Sequence, residues 1–444
     1  ELFITCDTLG IQRPQIHENN GATKLMFPHE ARLRNFTYTS NMTLNMHIKY
    51  IVRQGKDLEN EQIFYKTLPN IHIGKLPILL RSSICVLKQY KHVSPENSGE
   101  CYMDPGGYFI INGSEKTCLG QERAAENNIQ CFNISKNNSK WSWIAEIKSV
   151  PDNKCISPKQ IALFIATKNN GFGHGISLQI PRIKIPIPLF IVFRSLGIIT
   201  DKDICKHIVL DPDNKSSKIK KMLFALRGSI VEASQYLSQE EALKYITSQA
   251  MFTPLNMDKE TGIKKKKEFT LNVLSDDLFP HCSTSIQKVF FLGYMANKLL
   301  RCSFGWIPND DRDSYLNKRI DLTGTLLNNL FRNYFNKLVK DMSKQIIREI
   351  NSGSWRANED YLSIVNMTNI YKIVKAATIE NGIKRALATG DFGIKQTSSS
   401  KVGVAQVLNR LTYISSLSHL RRVNTPIDKS GKLIPPRKLH NTSW

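Results

Sequence analysis

The residues best suited to chemistry are basic side chains gathered in residues 401–444. This stretch holds one acid, Asp428, against eight basic residues, which are Lys401, Arg410, Arg421, Arg422, Lys429, Lys432, Arg437 and Lys438. Guanidinium and ammonium groups bind phosphate oxygens through charge and donated hydrogen bonds. The stretch therefore predicts a surface for a polyanion. A solvated basic face is the alternative that these residues alone leave open.

Other candidate sites point to structure more than to catalysis. Asp310, Asp311 and Asp313 could bind Mg²⁺, which prefers carboxylate oxygens. Their basic neighbours are Arg312, Lys318 and Arg319. We therefore favour an ion-paired corner between domains over a metal site. The sequence GFGHG at 171–175 lacks the Lys-Ser/Thr and the helix of a phosphate-binding loop, which favours a hairpin loop.

The bulk composition is that of an ordinary globular protein with a large positive charge. The chain has 444 residues, 41% hydrophobic and 22% charged, and a net charge of +23. This length predicts two or three domains, and this charge favours nucleic acid or an acidic partner. Nine cysteines without a CxxC pair indicate a reducing compartment, and with ten scattered histidines they predict no structural metal. No apolar run reaches the length of a membrane span.

The elements that must position these residues follow from local patterns. Residues 1–140 read as short strands and turns, with two strands in 31–52 and a hairpin at 108–113. Strands are predicted at 143–149 and 161–168, and helical segments at 225–250. The run of lysines at 264–267 reads as a solvated loop. The segment 285–301 predicts a helix with Ile286, Val289, Phe290, Gly293 and Leu300 on its core side.

Two further helices are predicted towards the basic stretch. Apolar residues at helical spacing predict one long helix, and these are Leu327, Phe331, Leu338, Met342 and Ile346. Residues 404–422 contain neither Gly nor Pro, and Val404, Val407, Leu408 and Leu411 recur at helical spacing. We therefore expect a helix there that ends near His419, Arg421 and Arg422. The residues after it, TPIDKSGKLIPP, predict a loop rich in turns.

Several long segments resemble one protein family. They are ARLRNFTY at 31–38, GKLPILLRSSICVL at 74–87, DPGGYFIINGSEK at 104–116, QERAA at 121–125, DDRDSYLNKRIDLTGTLLNNLFRNYF at 310–335, and SLSHLRRVNTPI at 416–427. In their order and length they resemble the second-largest, β-type subunit of multisubunit DNA-directed RNA polymerases. The resemblance is closest to the RNA polymerase II version and to its relatives in large DNA viruses.

The resemblance implies an α+β multidomain fold and names its parts. Residues 1–141 and 321–391 would form a discontinuous protrusion domain, residues 142–320 an inserted lobe domain, and residues 392–444 a truncated fork domain. The chain is then expected to be a fragment of a longer subunit and to be inactive alone. The second fork loop departs from the family pattern, because Asp428-Lys429-Ser430-Gly431 stands where Gly-Arg-Asp-Gly is usual. Near the end, Lys438 replaces the usual Gln and Ser443 the usual His.

The implied function is template-directed synthesis of RNA from ribonucleoside triphosphates. This part of the subunit would form one side of the DNA cleft and the rim of the active centre. It would hold no catalytic residue. Mg²⁺ would be held by the partner, the largest subunit, and zinc is expected in the missing C-terminal part. The other implied partners are smaller polymerase subunits, DNA template and nascent RNA, with no membrane.

The resemblance also assigns roles to single residues of the basic stretch. Gln406 and Arg422 would lie near the RNA of the hybrid, Lys429 and Lys432 near downstream DNA, and Arg437 towards the active centre. For Arg410 and Arg421, RNA contact and structural salt bridges remain equal alternatives. His419 and His440 are expected to be packed or hydrogen-bonded.

The source and one rival function stay open at this point. A composition rich in Asn, Lys and Ile favours a large DNA virus, which would place the protein in the virion and in the infected-cell cytoplasm or viral factory. A cellular source would place it in the nucleus. The alternative function is a non-catalytic basic scaffold that binds nucleic acid, such as an inactive paralogue of the subunit.

Overall fold

The computed structural model shows a mixed α/β protein whose chain forms two compact units. Unit 1 comprises Glu1–Arg123 and Ile320–Pro426, and unit 2 comprises Ala124–Arg319 and Ile427–Trp444. The larger segment of unit 2 is therefore inserted between the two segments of unit 1. The structure describes residues 1–54, 60–90, 93–134, 139–151, 156–214, 216–253, 258–353, 361–393, 402–425 and 441–443.

The first segment of unit 1 is rich in strands. They are β1 (Leu2–Ile11), β2 (Gln15–His17), β3 (Thr23–Leu25), β4 (Thr39–Gln54), β5 (Asn60–Pro77), β6 (Phe109–Ile111), β7 (Ser114–Cys118) and β8 (Gly120–Ala124). Short helices interrupt them, and these are α1 (Pro28–Leu33), α2 (Val86–Gln89) and α3 (Pro95–Ser98). Strand β4 lies between β1 and β5 in an antiparallel sheet. Every second residue from Met42 to Tyr50 is buried, as expected for a strand with one face on a core.

Strands β6 and β7 form an antiparallel hairpin. Asn112 and Gly113 connect the strands, with φ of 49° and 78°. Two residues at positive φ form the turn that matches the twist of a hairpin, and Asn-Gly is the preferred pair for it. The hairpin predicted from the sequence is confirmed.

Unit 2 packs a five-stranded antiparallel sheet with helices around one core. Its strands are β9 (Gln130–Asn133), β10 (Trp141–Ser149), β11 (Lys159–Asn169), β12 (His174–Gln179) and β13 (Ile187–Pro188). Its helices are α4 (Leu189–Ser195), α5 (Asp201–Val209), α6 (Ser217–Ala233), α7 (Gln239–Gln249), α8 (Lys259–Asn272) and α9 (Ser285–Ser303). A π-helical turn, Val273–Asp277, continues α8.

The chain then returns to unit 1. The returning elements are β14 (Lys318–Asp321), α10 (Thr323–Ser352), α11 (Ile370–Ile373), α12 (Ala377–Thr389), β15 (Ala405–Val407), α13 (Tyr413–Leu420) and β16 (Val423–Asn424). Helix α10 is the predicted long helix, and its buried Leu338, Met342 and Ile346 join the core beneath β4 and β5. Strand β15 pairs with β7, and β16 pairs with β8.

Most predicted elements are confirmed. Strands β10 and β11, helices α6 and α7, and helix α9 occur where the sequence predicts them. The GFGHG segment connects β11 and β12, which pair from Asn169 to His174, so it is the predicted hairpin loop.

The helix predicted over 404–422 is wrong in its first half. Ala405–Val407 forms strand β15 on the edge of β7, and the helix covers Tyr413–Leu420 alone. The side chains of Val407 and Leu411 are 61% and 87% exposed, so they do not form an apolar helical stripe. Backbone pairing with the open edge of β7 outweighs a short helical pattern, since strand preference depends on context.

Three smaller predictions are also corrected. Residues 31–52 contain one strand instead of two, because 31–33 are the end of helix α1, which Pro28 begins, and β4 starts at Thr39. The lysine run at 264–267 lies in helix α8, not in a loop. In α9 the buried side includes Val289, Gly293 and Leu300, whereas Ile286 and Phe290 are mostly exposed.

Candidate nucleic-acid interface

Helix α13 presents two arginines at its C-terminal end. Thr412 caps the other end, since its hydroxyl accepts the Ser415 N–H in a reciprocal capping box. Arg421 follows the last helical residue, and Arg422 comes next; both are exposed. In the part of the chain that the structure describes, neither guanidinium has an ion-pair partner. Both charges are therefore available to a phosphate and lie where a helix favours cations.

Strand β15 holds Gln406 beside this helix. Gln406 pairs with Thr117 of β7, which fixes its backbone. Its Oε1 lies 3.1 Å from Nε2 of His419, and its Nε2 donates to the Gly403 carbonyl at 3.2 Å. The amide is half-buried and held at both ends. It keeps one further N–H and one lone pair for a ligand.

His419 sets the orientation of that amide. Its side chain is buried, and its Nδ1 accepts the Asn409 backbone N–H at 3.1 Å. A ring nitrogen that accepts cannot carry a proton, so the proton of the neutral ring lies on Nε2 and is donated to Gln406. Burial first, and the charge of Arg422 second, lower the pKa of His419 below its usual 6.5. The ring is therefore neutral at physiological pH.

Arg410 belongs to a different environment. Its Nε donates to Glu115 at 2.7 Å, and one terminal nitrogen lies 3.1 Å from both Glu115 and Asp104. The guanidinium also lies over the Tyr108 ring, 4.9 Å from its centre. The hydrogen bond to Glu115, partly opposed by burial, raises the pKa of Arg410 above its usual value. Of the two alternatives for Arg410, the geometry favours the structural salt bridge.

The Arg410 ion pairs extend into a network within unit 1. Arg32 donates to Glu115 at 2.9 Å, binds Glu100 with two nitrogens at 2.7 and 3.1 Å, and reaches the Tyr108 hydroxyl at 2.8 Å. The Tyr108 hydroxyl in turn donates to Asp104 at 2.6 Å. Burial first, then this bond to Asp104, raises the pKa of Tyr108. The network joins β6, β7 and α1 to the chain that leads into α13.

The QERAA segment holds the other side of α13. Strand β16 runs parallel to β8, with Val423 opposite Gly120 and Asn424 opposite Gln121. The Asn424 amide donates to the Gln121 side chain at 3.3 Å. The carbonyl of Arg422 accepts the Gly120 N–H at 3.2 Å. The backbone on both sides of Arg422 is therefore fixed by pairing.

The structure brings together three of the predicted site residues and leaves others undescribed. Gln406, Arg421 and Arg422 are joined through His419 and helix α13, and we call these four residues the α13 surface. Arg410 lies in the ion-pair network. Lys429, Lys432, Arg437 and His440 lie outside the described residues. His419 is hydrogen-bonded, as expected.

Sequence reasoning missed the residues that position this surface. They are Arg32, Glu100, Asp104, Tyr108 and Glu115. All except Glu100 lie in the segments that carry the family resemblance. The presence of acidic and basic residues in these segments could have suggested ion pairs between them. The sequence alone does not show which acid meets which base.

The acidic cluster of unit 2 is ion-paired. Asp310 accepts from Lys298 at 2.8 Å and from the Cys131 backbone N–H at 2.8 Å. Arg312 donates to Glu146 at 2.8 Å. Asp310 is thus ion-paired, as predicted, but its partner is Lys298 of the same unit and not one of the basic neighbours in the sequence. Over the described ranges, no group of three or more His, Cys, Asp or Glu side chains could hold a metal ion. Across the same ranges, no helix has the length and apolar character to span a membrane.

Comparisons with known proteins give consistent matches. Residues 2–381 match the model of the RNA polymerase beta subunit, and residues 406–444 match a model described as RNA polymerase Rpb2, domain 3. The chain is 37% identical to DNA-directed RNA polymerase II subunit 2 of Arabidopsis thaliana, over 98% of the chain and 35% of that protein.

More distant relatives include an archaeal and a viral protein. DNA-directed RNA polymerase subunit Rpo2 of Saccharolobus solfataricus is 30% identical over 100% of the chain and 35% of its own length. DNA-directed RNA polymerase subunit 2 of Acanthamoeba polyphaga mimivirus is 30% identical over 99% of the chain and 36% of its own length. The chain thus spans about a third of the length of the curated relatives that it matches.

Proposed function

We propose, because the chain belongs to the RNA polymerase beta subunit family, that it works as part of a DNA-dependent RNA polymerase. The reaction is template-directed synthesis of RNA from ribonucleoside triphosphates. The chain contributes one side of the DNA cleft and the active-centre rim. The observation that carries this proposal is the α13 surface, where an amide oriented by His419 accompanies two exposed arginines that have no ion-pair partner among the described residues.

Each part of the α13 surface has a separate task in this proposal. Arg422 and Arg421 bind phosphate oxygens of the RNA, for which a guanidinium offers two parallel donors. Gln406, oriented by His419, donates its remaining N–H to the sugar or base edge. The ion-pair network keeps β15 and α13 in place when the RNA is bound. Lys429, Lys432 and Arg437 stay as proposed contacts to downstream DNA and the active centre.

The chemistry of nucleotide addition belongs to the partner subunit in this proposal. Two Mg²⁺ ions supply activation of the attacking hydroxyl and stabilisation of the leaving pyrophosphate in such reactions. Among the described residues, no three His, Cys, Asp or Glu side chains come together as such a site requires, and Asp310 and Asp321 are paired with Lys298 and Arg123. The ions would therefore be held by the largest subunit, and this chain would position RNA and DNA.

The domain division and the setting are part of the same proposal. Unit 1 would contain the protrusion and the start of the fork, and unit 2 the lobe. What supports this is the insertion of unit 2 between the two segments of unit 1. The partners are the largest subunit, smaller subunits, DNA, nascent RNA and nucleoside triphosphates. The complex would act in the nucleus, or in a viral factory if its source is viral.

The substitution Arg422→Ala in the assembled enzyme tests the proposal. Because the variant lacks one phosphate contact, we expect short transcripts to dissociate faster, and the difference to grow in raised salt. Subunit assembly should not change, since the side chain is exposed. Arg301→Ala, which removes an exposed arginine of unit 2, is the charge-matched control. Equal transcript retention in both variants would contradict the RNA contact, and an assembled complex that makes no RNA would favour the scaffold alternative.

A further inference from the structure

A second surface of unit 1 has features of a ligand site that the α13 surface does not include. A groove of about 420 Å³ lies between helix α2 and the chain at 98–102. Its lining includes Phe27, Arg81, Lys88, Tyr90 and Tyr102. This volume lies within the range of about 300–1,000 Å³ that is usual for small-molecule sites. The groove is large enough for one nucleotide unit.

The aromatic ring of Tyr102 is highly accessible in this groove. Tyr102 is 78% exposed, and its neighbour Met103 is 66% exposed. The hydroxyl of Tyr413 donates to the Met103 carbonyl at 3.1 Å, so the backbone that carries Tyr102 is tied to the start of α13. The Tyr90 ring is held from one side by Arg13, whose guanidinium lies 5.5 Å from the ring centre. Exposed rings on a fixed backbone form stacking platforms for bases.

Two cations accompany the rings. Arg81 and Lys88 are both exposed and line the groove. Arg81 has a φ of 63°, a left-handed backbone conformation that is uncommon for residues other than glycine and is often found at functional sites. Its guanidinium donates one hydrogen bond to the Cys101 carbonyl at 3.2 Å, which keeps it beside Tyr102. The remaining donors of Arg81 are suited to a phosphate.

Glu100, the acid among the described lining residues, does not oppose an anion. Glu100 is paired by two hydrogen bonds to Arg32, at 2.7 and 3.1 Å, and its side chain is 8% exposed. Its charge is therefore compensated inside the ion-pair network. Among the described lining residues, the accessible charge comes from Arg81 and Lys88, and it is positive.

We propose that this groove binds one unpaired nucleotide, with its base stacked on Tyr102 and its phosphate held by Arg81 and Lys88. This proposal rests on the proposed function, since an RNA polymerase works with unpaired strands and free nucleotides. The same chemistry suits a nucleotide within a separated DNA strand and a free nucleoside triphosphate. The groove has no described residue in common with the α13 surface.

The test places a photoreactive phenylalanine analogue at position 102 of the full-length subunit in the assembled polymerase. The same analogue at position 65 is the control, because Tyr65 is also an exposed tyrosine of unit 1, at 73%. Each enzyme is irradiated with end-labelled DNA that contains a single-stranded bubble. We expect at least about fivefold more label transfer at position 102 than at position 65. The double substitution Arg81→Ala and Lys88→Ala should abolish this excess.

Further arms separate the possible ligands. A second irradiation uses a labelled nucleoside triphosphate in place of the labelled DNA. Excess label from the triphosphate alone would assign the groove to a free nucleotide, and excess label from the DNA alone would assign it to the DNA strand. Label at position 102 that exceeds the control with neither probe, or a crosslink to another subunit in its place, would overturn the proposal. RNA synthesis by the same preparations is measured in parallel. An enzyme that makes RNA without the specific label refutes the nucleotide groove alone, whereas loss of all synthesis with the wild-type subunit refutes the proposed function.

Discussion

At the scale of single residues, His419 gives the α13 surface a dependence on pH. The folded protein lowers the pKa of His419, through burial first and through Arg422 second. A lowered pKa means that the stability from this ring is fully present above the ordinary pKa of 6.5. It is lost as the pH falls through the folded pKa, because protonation of Nδ1 breaks the bond from Asn409.

The prediction for His419 is a difference in slope. Between pH 7.5 and 5.5 the free energy of unfolding should fall less in His419→Asn than in the wild type. An asparagine oxygen can still accept the Asn409 N–H but does not titrate in this range. Urea denaturation at several pH values measures the slope. His174→Gln, at an exposed histidine of unit 2, should keep the wild-type slope, and a wild-type slope in His419→Asn would refute the argument.

Arg410 and Arg422 should differ in what their loss affects. Arg410→Ala leaves Glu115 with one arginine, Arg32, and leaves Asp104 with neutral donors alone among the described residues. The side chains of Glu115 and Asp104 are only 15% and 11% exposed. Because Arg410 itself is 39% exposed, solvent screens the pair, and we expect a loss of about 1–2 kcal/mol in the free energy of unfolding. The exposed pair of Arg53 and Glu1 is the comparison, and Arg53→Ala should cost under about 1 kcal/mol.

The readout that separates the two arginines is RNA retention at matched stability. Arg410→Ala should hold short transcripts as the wild type does once the enzyme is assembled. Arg422→Ala should release them sooner while its unfolding curve stays unchanged. If both variants release short transcripts faster than the wild type, with equal salt dependence, Arg410 also contacts the RNA.

The sequence shows which residues could bind a phosphate, but it does not show which of them are already held in ion pairs by the fold. Arg410, Arg421 and Arg422 are equal candidates when read along the chain. They differ because Glu115, in the β6–β7 hairpin, and Asp104, just before it, approach Arg410 from positions 295 and 306 residues earlier in the chain. Such partners are set by the tertiary fold, and no local spacing reports them. The role of His419 likewise depends on the hydrogen bond from the Asn409 backbone N–H. In the helix predicted for this segment, that N–H would bond within the helix.

At the scale of elements, two glycines decide how β15 meets α12. Gly390 and Gly403 both have a φ of +76°, which side chains rarely adopt. A Cβ on Gly390 would lie 2.5 Å from the Ala405 carbonyl oxygen, whereas a Cβ on Gly403 would meet nothing within 4 Å among the described residues. Substitution by alanine would therefore strain the backbone equally at both positions, but only at Gly390 would the new Cβ collide with a described neighbour.

The pair therefore forms a matched experiment. Gly403→Ala should cost about 1–2 kcal/mol in the free energy of unfolding, the cost of the left-handed backbone alone. Gly390→Ala should cost about 1–3 kcal/mol more, because β15 must move to relieve the contact. Hydrogen exchange of the β15 amides should rise in Gly390→Ala only. Equal losses in the two variants would show that the close approach to Ala405 has no energetic role.

The predicted elements succeed where a local signal is strong and fail where pairing decides. The Asn-Gly turn and the apolar stripe of α10 need no distant partner, and both are confirmed. Strand β15 exists because β7 offers it an open edge, which the pattern of 404–411 does not reveal. The exposed Ile286 and Phe290 of α9 show a similar limit of sequence analysis. Apolar spacing indicates that a helix has a buried side, but it does not show which residues lie at the middle of that side.

At the scale of the whole molecule, the chain leaves and re-enters unit 1 at neighbouring points. Arg123, its last residue before the insertion, donates to Asp321 at 2.8 Å. Within unit 2, the Ala125 N–H donates to the Asn317 carbonyl at 2.8 Å. Each unit thus has its two chain ends side by side. Domains whose ends lie close together tolerate insertion and removal, because joining the ends requires little rearrangement.

We therefore expect that replacing residues 124–319 by a short Gly-Ser linker leaves unit 1 able to fold. The isolated segment 124–319 should fold as well, since its sheet and helices share one core. Circular dichroism and urea denaturation should show one cooperative transition for each piece. Deleting residues 142–320, the lobe boundary expected from the family resemblance, is the contrasting variant. That deletion leaves β9 without β10, its pairing partner, and removes most of β14. The variant that lacks residues 142–320 should therefore unfold less cooperatively or aggregate. If the two deletion variants unfold alike, residues 124 and 319 are not the boundaries of an independently folding unit.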